Sequence, residues 1–276
     1  MNSSLSSRQA RPFPAQRVLA RLLPLLARAA VAVIIIALLV PVVVVILLSF
    51  SAESFIQFPP KAWGFRQYAA ITQSDVWIDA VLLSVKVAAP SAAIAVVVGT
   101  LAAFAITRTS MRGRSVIQAL GLGSLIIPSS AYAVALYGVF EKLNLLGTFW
   151  GLVAIDSMLA LPVVLLLVTA AIDQVPRQLE LTAMSLGARR LRVGAEITLR
   201  LVAPSLVAAT IFSFVLSFDE SVFVIFLGGG LSTLPAAIYA AVTVGLDPVI
   251  TAIASALMLA TGLVLALGLI VRGKDR

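Results

Sequence analysis

The sequence predicts an all-α, polytopic membrane protein with about six transmembrane helices. The chain has 276 residues, of which 61% are hydrophobic and only 12% are charged, too few charges to cover a soluble protein. Six continuous apolar runs each reach the roughly 20 helical residues that cross a membrane, and their continuity favours helices over strands. Pro128 and Pro162 fall within the third and fourth runs and predict kinks there. The runs are 24–50, 80–107, 115–140, 145–171, 202–227 and 249–271.

The lysines and arginines indicate how these runs are oriented. Four basic clusters lie on one side, whereas the loops of the opposite side hold only Lys61, Arg66 and Lys142. By the positive-inside rule, both termini and the long arginine-rich loop face the cytoplasm. We interpret the net charge of +8 as this topology signal and expect no nucleic-acid partner. The clusters are Arg8, Arg11, Arg17, Arg21 and Arg28; Arg108, Arg112 and Arg114; Arg177, Arg189, Arg190, Arg192 and Arg200; and Arg272, Lys274 and Arg276.

The first apolar run is expected to be a retained helix. It contains about 27 residues, whereas the apolar region of a cleaved signal peptide has roughly 7–15. We therefore predict a basic cytoplasmic arm, 1–23, followed by one transmembrane domain, 24–276. In the loop 51–79, aromatic residues around two prolines predict a short interfacial helix near 64–72.

The residue types that the chain lacks limit its chemistry. It has no cysteine and no histidine, which excludes disulfides and Cys- or His-based metal sites and nucleophiles. It also lacks a Gly-x-x-x-x-Gly-Lys-Ser/Thr phosphate loop. We therefore expect no catalytic residue, no metal and no cofactor in this chain. Energy for any transport must come from another chain or from an ion gradient.

An arginine-rich segment, 173–201, interrupts the apolar runs. Pro176 and Glu180 predict the start of a short helix, with the carboxylate near the positive end of the helix dipole. Gly187 permits a sharp turn, and a second short amphipathic segment, 189–200, leads back to the membrane. Two short helices of this kind form a compact knob that fits a cleft on another protein. The alternative is an ordinary basic loop held by anionic lipid.

Several motifs in the second half of the chain resemble one family of transporters. They are Leu179-Glu180, Ala183-Met184-Ser185-Leu186-Gly187-Ala188, Ile197-Thr198-Leu199, Ala203-Pro204, Ser217-Phe218-Asp219-Glu220, Phe226-Leu227-Gly228-Gly229-Gly230, Thr233-Leu234-Pro235 and Ile238-Tyr239. From about residue 80 to 271, the chain resembles the permease subunits of type I ATP-binding-cassette (ABC) importers, in particular the spermidine/putrescine permease family. The segment 173–201 corresponds to the cytoplasmic coupling loop of that family.

The resemblance implies a permease subunit of a bacterial inner membrane that has no ATPase activity of its own. Its implied partners are a second, related permease in a heterodimer, two ATP-binding subunits that carry ATP and Mg²⁺, an external solute-binding protein and membrane lipid. The implied cargo is a polyamine or a related cationic amine. A permease for another cargo is the main alternative; an ion-coupled secondary transporter is a weaker one, because no internal repeat is evident. The implied ATPase-coupling residues are Glu180, Ala183, Gly187, Ala188, Ile197 and Leu199.

Three positions in the coupling loop depart from the family's pattern. Leu181 stands where the Glu-Ala-Ala motif has its glutamate, with Thr182 in place of the first alanine. Arg200 stands where the Ile-x-Leu pattern usually ends in proline. The apolar knob is retained, so we expect docking on the ATP-binding subunits without the polar contact of the usual glutamate.

Charged residues within the apolar runs are the candidates for a cargo path, because a charge in lipid costs a few kcal/mol and usually faces a cavity or a partner. Counted along the helices, Lys86, Asp156 and Asp219 lie roughly 9–17 Å below the outer surface and could share one polar layer with Glu220. Such a layer would hold three carboxylates and one ammonium group, and this excess of negative charge suits a cationic amine. Alternatively, Lys86 pairs with one of the aspartates and only holds two helices together. Weaker polar candidates, of a kind that often packs helices, are Ser84, Tyr132, Tyr137, Ser157 and Ser217.

Overall fold

The structure is a computed structural model that describes residues 14–109, 113–124, 126–245 and 247–274. In these ranges the chain is helical, with two isolated bridges and no strand, so the all-α prediction is confirmed. Within the described ranges, four helical segments are long and apolar enough to cross a membrane: Pro24–Ser49, Asp75–Arg108, Phe149–Asp173 and Arg190–Phe218. The described parts of the chain form two compact units, one within Met1–Ala70 and Asp247–Arg276, the other within Ile71–Leu246.

The first unit is built on two long helices, α1 (Pro14–Ser49) and α12 (Val249–Lys274). α1 begins ten residues before the predicted span, because proline suits the first turn of a helix and the basic residues that follow are good helix formers. Residues 1–13 of the predicted arm lie outside the described residues. The short helix predicted near 64–72 is confirmed as α2 (Arg66–Gln73), in which Tyr68 bonds to Ser49 of α1 at 2.8 Å and to Ser255 of α12 at 3.4 Å.

Three long helices form the core of the second unit: α3 (Asp75–Arg108), α6 (Phe149–Asp173) and α9 (Leu199–Phe218). Small residues allow close packing, as membrane helices require when no water drives them together. Gly99 of α3 lies against Val164 of α6 so closely that a Cβ atom at position 99 would be 2.6 Å from the valine Cγ1. Alanines line the core formed by the three helices, among them the fully buried Ala95, Ala103, Ala160 and Ala209.

The third predicted span is broken rather than kinked. It consists of α4 (Arg114–Ser124) and α5 (Ser129–Lys142), so the prediction of one helix over 115–140 is wrong. Pro128 stands just before α5 with an extended ψ of 135°. A proline disfavours the helical conformation of the residue before it and cannot donate a backbone hydrogen bond, which explains an interruption at this point.

The fifth predicted span, 202–227, also differs from the structure. The coupling loop holds α7 (Arg177–Ser185) and α8 (Arg190–Val193), and α8 continues through a π-helical turn, Gly194–Thr198, directly into α9. The expected second short helix is therefore the first part of the long helix.

At its other end, α9 stops at Phe218, and α10 (Val222–Leu227) follows as a separate helix. A further helix, α11 (Leu234–Val244), was not predicted. It is attached to α3 by a 2.8 Å hydrogen bond from the Leu234 amide to the Ser84 hydroxyl.

Candidate functional site

Two backbone hydrogen bonds form the turn between α7 and α8, and they require one residue with a positive φ. The amide of Gly187 donates to Met184 O at 3.0 Å, and the amide of Ala188 donates to Ala183 O at 3.1 Å. This is the Schellman pattern that ends many helices, and it requires a positive φ at the residue after the helix cap. Gly187 has φ +93°, a conformation that other residues rarely adopt.

Glu180 lies at the centre of a polar cluster that joins several elements. Its Oε1 accepts a hydrogen bond from Arg108 Nε at 2.9 Å and another from the Thr198 hydroxyl at 2.6 Å. Arg108 also donates through Nη2 to the carbonyl oxygens of Ile172 and Val175, at 3.0 and 3.1 Å. The end of α3, the end of α6, α7 and the π-helical turn are therefore held by one network.

The coupling loop exposes two leucines among its arginines, and we refer to this pair as the exposed apolar face. Leu186 is 85% exposed and Leu191 is 90% exposed. Leu191 was not a sequence candidate, although a leucine between two arginines in an amphipathic segment was a usable signal. Four of the predicted coupling residues are half-buried: Ala183, Ala188, Ile197 and Leu199.

A cleft of about 510 Å³ separates the coupling loop from the end of α3. Arg108 and Glu180 line it together with two further arginines, Arg177 and Arg190. Arg177 also donates to Thr107 O at 3.3 Å, a second link between α3 and α7.

The charged residues predicted for a cargo path occupy different environments. Asp156 of α6 is 2% exposed, and its Oδ2 accepts a hydrogen bond from Ser217 of α9 at 2.6 Å. Lys86 lies exposed on α3, and no ion pair joins it to Asp156 or Asp219 in the part of the chain that the structure describes. The structure therefore does not contain the alternative arrangement, in which Lys86 pairs with an aspartate and holds two helices together.

Asp219 and Glu220 also have separate roles where α9 ends. The Oε1 of Glu220 accepts hydrogen bonds from the amides of Val222 and Phe223, at 2.7 and 3.3 Å, so this carboxylate caps the start of α10. Asp219 is the cap residue that directly follows α9, and it is exposed. Across the described ranges, no group of three or more acidic side chains is placed to hold a metal ion.

The sequence is similar to those of known transport proteins. The family model for binding-protein-dependent transport system inner membrane components matches residues 95–273. The putrescine transport system permease protein PotI of Escherichia coli (strain K12) is 30% identical over 213 residues, which is 73% of this chain and 75% of that protein. The spermidine/putrescine transport system permease protein PotC of Haemophilus influenzae is 27% identical over 212 residues, which is 76% of this chain and 80% of that protein.

Among solved structures, the fold resembles a chain of a bacterial ABC transporter involved in the import of the acidic polysaccharide alginate. The TM-score is 0.69 at 12% identity, and the match covers 95% of this chain and 99% of that chain. At this identity the likeness concerns the fold alone, and the family match carries the assignment. The chain belongs to the family of inner membrane components of binding-protein-dependent transport systems, the permease subunits of ABC importers.

Proposed function

We propose that this chain forms a permease heterodimer that imports a polyamine or a related cationic amine, driven by two ATP-binding subunits that hold ATP and Mg²⁺. An external solute-binding protein delivers the cargo. The observation that carries the proposal is the coupling loop, because it combines an exposed apolar face at Leu186 and Leu191 with a base fixed to α3 by Glu180. Such a rigid knob suits transmission of a rigid-body motion from a motor subunit.

The proposed orientation follows from charge. The coupling loop and both termini lie in the cytoplasm of a bacterium, because the arginine clusters flank these segments. The chain hydrolyses no ATP itself. Anionic lipid beside the basic loops is the expected surrounding.

The proposed cargo rests on two kinds of support. Relatives at 27–30% identity carry putrescine or spermidine in their names. In this chain, Asp219 is an exposed carboxylate at the end of an apolar helix, where it is available to an approaching cation. Asp156 is the second candidate, and it would first have to become accessible, since it is 2% exposed. The Glu220 carboxylate already caps the start of α10, and Lys86 would repel a cation.

A docking experiment tests the coupling part of the proposal. The double substitution Leu186→Ser and Leu191→Ser should abolish co-purification of the ATP-binding subunits while membrane insertion persists. Val244→Ser is a matched control, because Val244 is 93% exposed and lies outside the coupling loop. Retention of the ATP-binding subunits by the double variant, at the level of the control, would contradict docking through this face.

An uptake experiment tests the cargo. Proteoliposomes with the complete complex and ATP should take up labelled putrescine or spermidine in preference to neutral and anionic solutes. Uptake of a neutral or anionic solute alone would favour the alternative of a non-polyamine cargo. Uptake that persists without ATP and follows an ion gradient would favour a secondary transporter instead.

A further inference from the structure

We propose that Glu180 is a positioning residue of the coupling step: it clamps α7 to α3 and to the start of the α9 helix, so that a displacement of the coupling loop moves these helices together. This inference rests on the proposed function for its role in transport. The clamp consists of Arg108, Glu180 and Thr198, and we refer to these three residues as the clamp below.

Glu180 is largely buried while its neighbour Leu181 is exposed, although both residues line the cleft. Consecutive residues on a helix point about 100° apart, so the two side chains meet different surroundings. The Glu180 side chain is 13% exposed, whereas Leu181 is 59% exposed. The glutamate next to the family's usual motif position is thus engaged within the chain, whereas the apolar Leu181 at that position is exposed.

Every contact of the clamp crosses from one element to another. Glu180 and Arg108 are 72 positions apart, and Glu180 and Thr198 are 18 apart. Arg108 then reaches the carbonyl oxygens at the end of α6. Removing the carboxylate therefore breaks the bonds of Glu180 to α3 and to the π-helical turn in a single step, and leaves the Arg177–Thr107 bond as the described side-chain link between α7 and α3.

The π-helical turn continues into α9 without a break, so a displacement of the clamp is transmitted along α9. Thr198 is fully buried at the last position of the π-helical turn, and α9 begins at the next residue. Wide turns of this kind within a helix frequently occur at functional positions. A pull on Thr198 therefore acts directly on the helix that carries Ser217 and ends beside Asp219.

Burial separates the clamp from ordinary surface ion pairs. The Arg108 and Glu180 side chains are 15% and 13% exposed. The Arg192–Glu196 pair in the same loop has the same 2.9 Å distance, but its side chains are 71% and 58% exposed. Solvent screens the exposed pair, so its loss should have little effect, whereas charge-assisted bonds away from water are stronger. Glu196→Gln is therefore the matched control for Glu180→Gln.

The first test measures the clamp in the full chain without any ATPase. Because the chain has no cysteine, nitroxide labels attach only at introduced sites, here Gln178→Cys on α7 and Leu101→Cys on α3. Electron paramagnetic resonance should give a broader or longer distance distribution in Glu180→Gln and in Thr198→Val. Thr198→Ser, which keeps the hydroxyl, and Glu196→Gln should match the parent. Distributions in Glu180→Gln and Thr198→Val that superimpose on the parent's would overturn the proposal.

The second test measures coupling in the reconstituted complex. We expect Glu180→Gln and Thr198→Val to retain the ATP-binding subunits but to lower solute uptake per ATP hydrolysed by about two- to thirtyfold, the range seen for residues in coupling networks. Thr198→Ser should restore the ratio. An unchanged ratio in both variants would overturn the role in coupling. Absence of ATP-dependent uptake in the parent complex would instead contradict the proposed function, and the distance measurement would still decide whether the clamp exists.

Discussion

Ser217 of α9 donates a 2.6 Å hydrogen bond to Oδ2 of Asp156 in α6, across a contact between two membrane-spanning helices. Both residues are nearly inaccessible, at 5% and 2% exposure, and Asp156 Oδ1 has no hydrogen-bond partner among the residues that the structure describes. A buried carboxyl group with one side-chain donor depends strongly on that donor, because an unmade bond in this environment keeps its full desolvation cost. The pair therefore fixes how the end of α9 sits on α6.

Loss of the Ser217 hydroxyl should destabilise the protein. We expect Ser217→Ala to lower the free energy of unfolding by about 1–3 kcal/mol, because Asp156 then lacks its donor. Thermal unfolding of the purified chain in detergent measures the effect.

Ser213 provides the control for this prediction. It lies one turn earlier in α9 and is fully buried, and within the described part of the chain its hydroxyl has no hydrogen-bond partner. Ser213→Ala makes the same chemical change without removing a described bond, so the melting temperature should stay constant or rise. Equal losses in the two variants would contradict a specific role for the Asp156–Ser217 bond.

The sequence predicted the all-α class and many of the helix positions. In lipid the backbone groups must form their hydrogen bonds within the protein, and a helix achieves this within each long apolar run. The sequence did not predict the breaks near Pro128 and at Glu220, because the few polar residues at each break leave the average hydropathy of the surrounding run apolar. At Glu220, the cap on α10 replaces helix continuation by a local side-chain bond. A hydropathy profile does not detect this competition between side-chain and backbone hydrogen bonds.

The clamp shows a second limit of sequence reasoning. Glu180 was a coupling candidate through the motif around it, but its partner Arg108 stands 72 positions away in a separate basic cluster. Only the packing of α3 beside α6 brings the two together. Positive-inside counting treated Arg108 as a topology signal, and in the structure it is also a structural residue.

Neutralising Asp219 should weaken uptake of a cationic cargo. Asp219→Asn keeps the shape of the side chain, so we expect the concentration for half-maximal putrescine uptake to rise about fivefold, corresponding to about 1 kcal/mol for an exposed ion pair. Basal ATP hydrolysis and assembly should persist. Asp79→Asn is the control, because Asp79 is also an exposed carboxylate and lies in the second turn of α3. Identical uptake curves for the two variants and the parent would remove Asp219 from the cargo path.

A side chain at Gly187 should distort the coupling loop. The positive φ of +93° costs an L-residue about 1–2 kcal/mol, although a Cβ atom there would meet no neighbour within 4 Å. We therefore expect Gly187→Ala to weaken binding of the ATP-binding subunits by about tenfold, measured by titration of the purified permease. Gly245→Ala is the control, since Gly245 also has open space but an extended φ of 168° that any residue adopts. Binding as tight as in the control would show that the turn tolerates a side chain.

The contact between α3 and α6 yields the final prediction. An alanine at position 99 would place its Cβ 2.6 Å from Val164 Cγ1 and 2.9 Å from Val164 Cβ, so one helix must shift. Overpacking of this kind costs about 1–3 kcal/mol, and Gly99→Ala should lower the melting temperature in detergent. Gly138→Ala in α5 has open space and should be neutral or stabilising, as alanine favours a helix over glycine.

A double-mutant cycle distinguishes this clash from a general intolerance of α3. Val164→Ala alone should destabilise through the cavity it leaves in the core. Combined with Gly99→Ala, it removes the clashing Cγ1 atom while the new methyl group fills part of the space. The double variant should therefore be more stable than the sum of the two single effects predicts, by about 0.5–3 kcal/mol for residues in direct contact. Strict additivity would mean that Gly99 is required for some reason other than its distance from Val164.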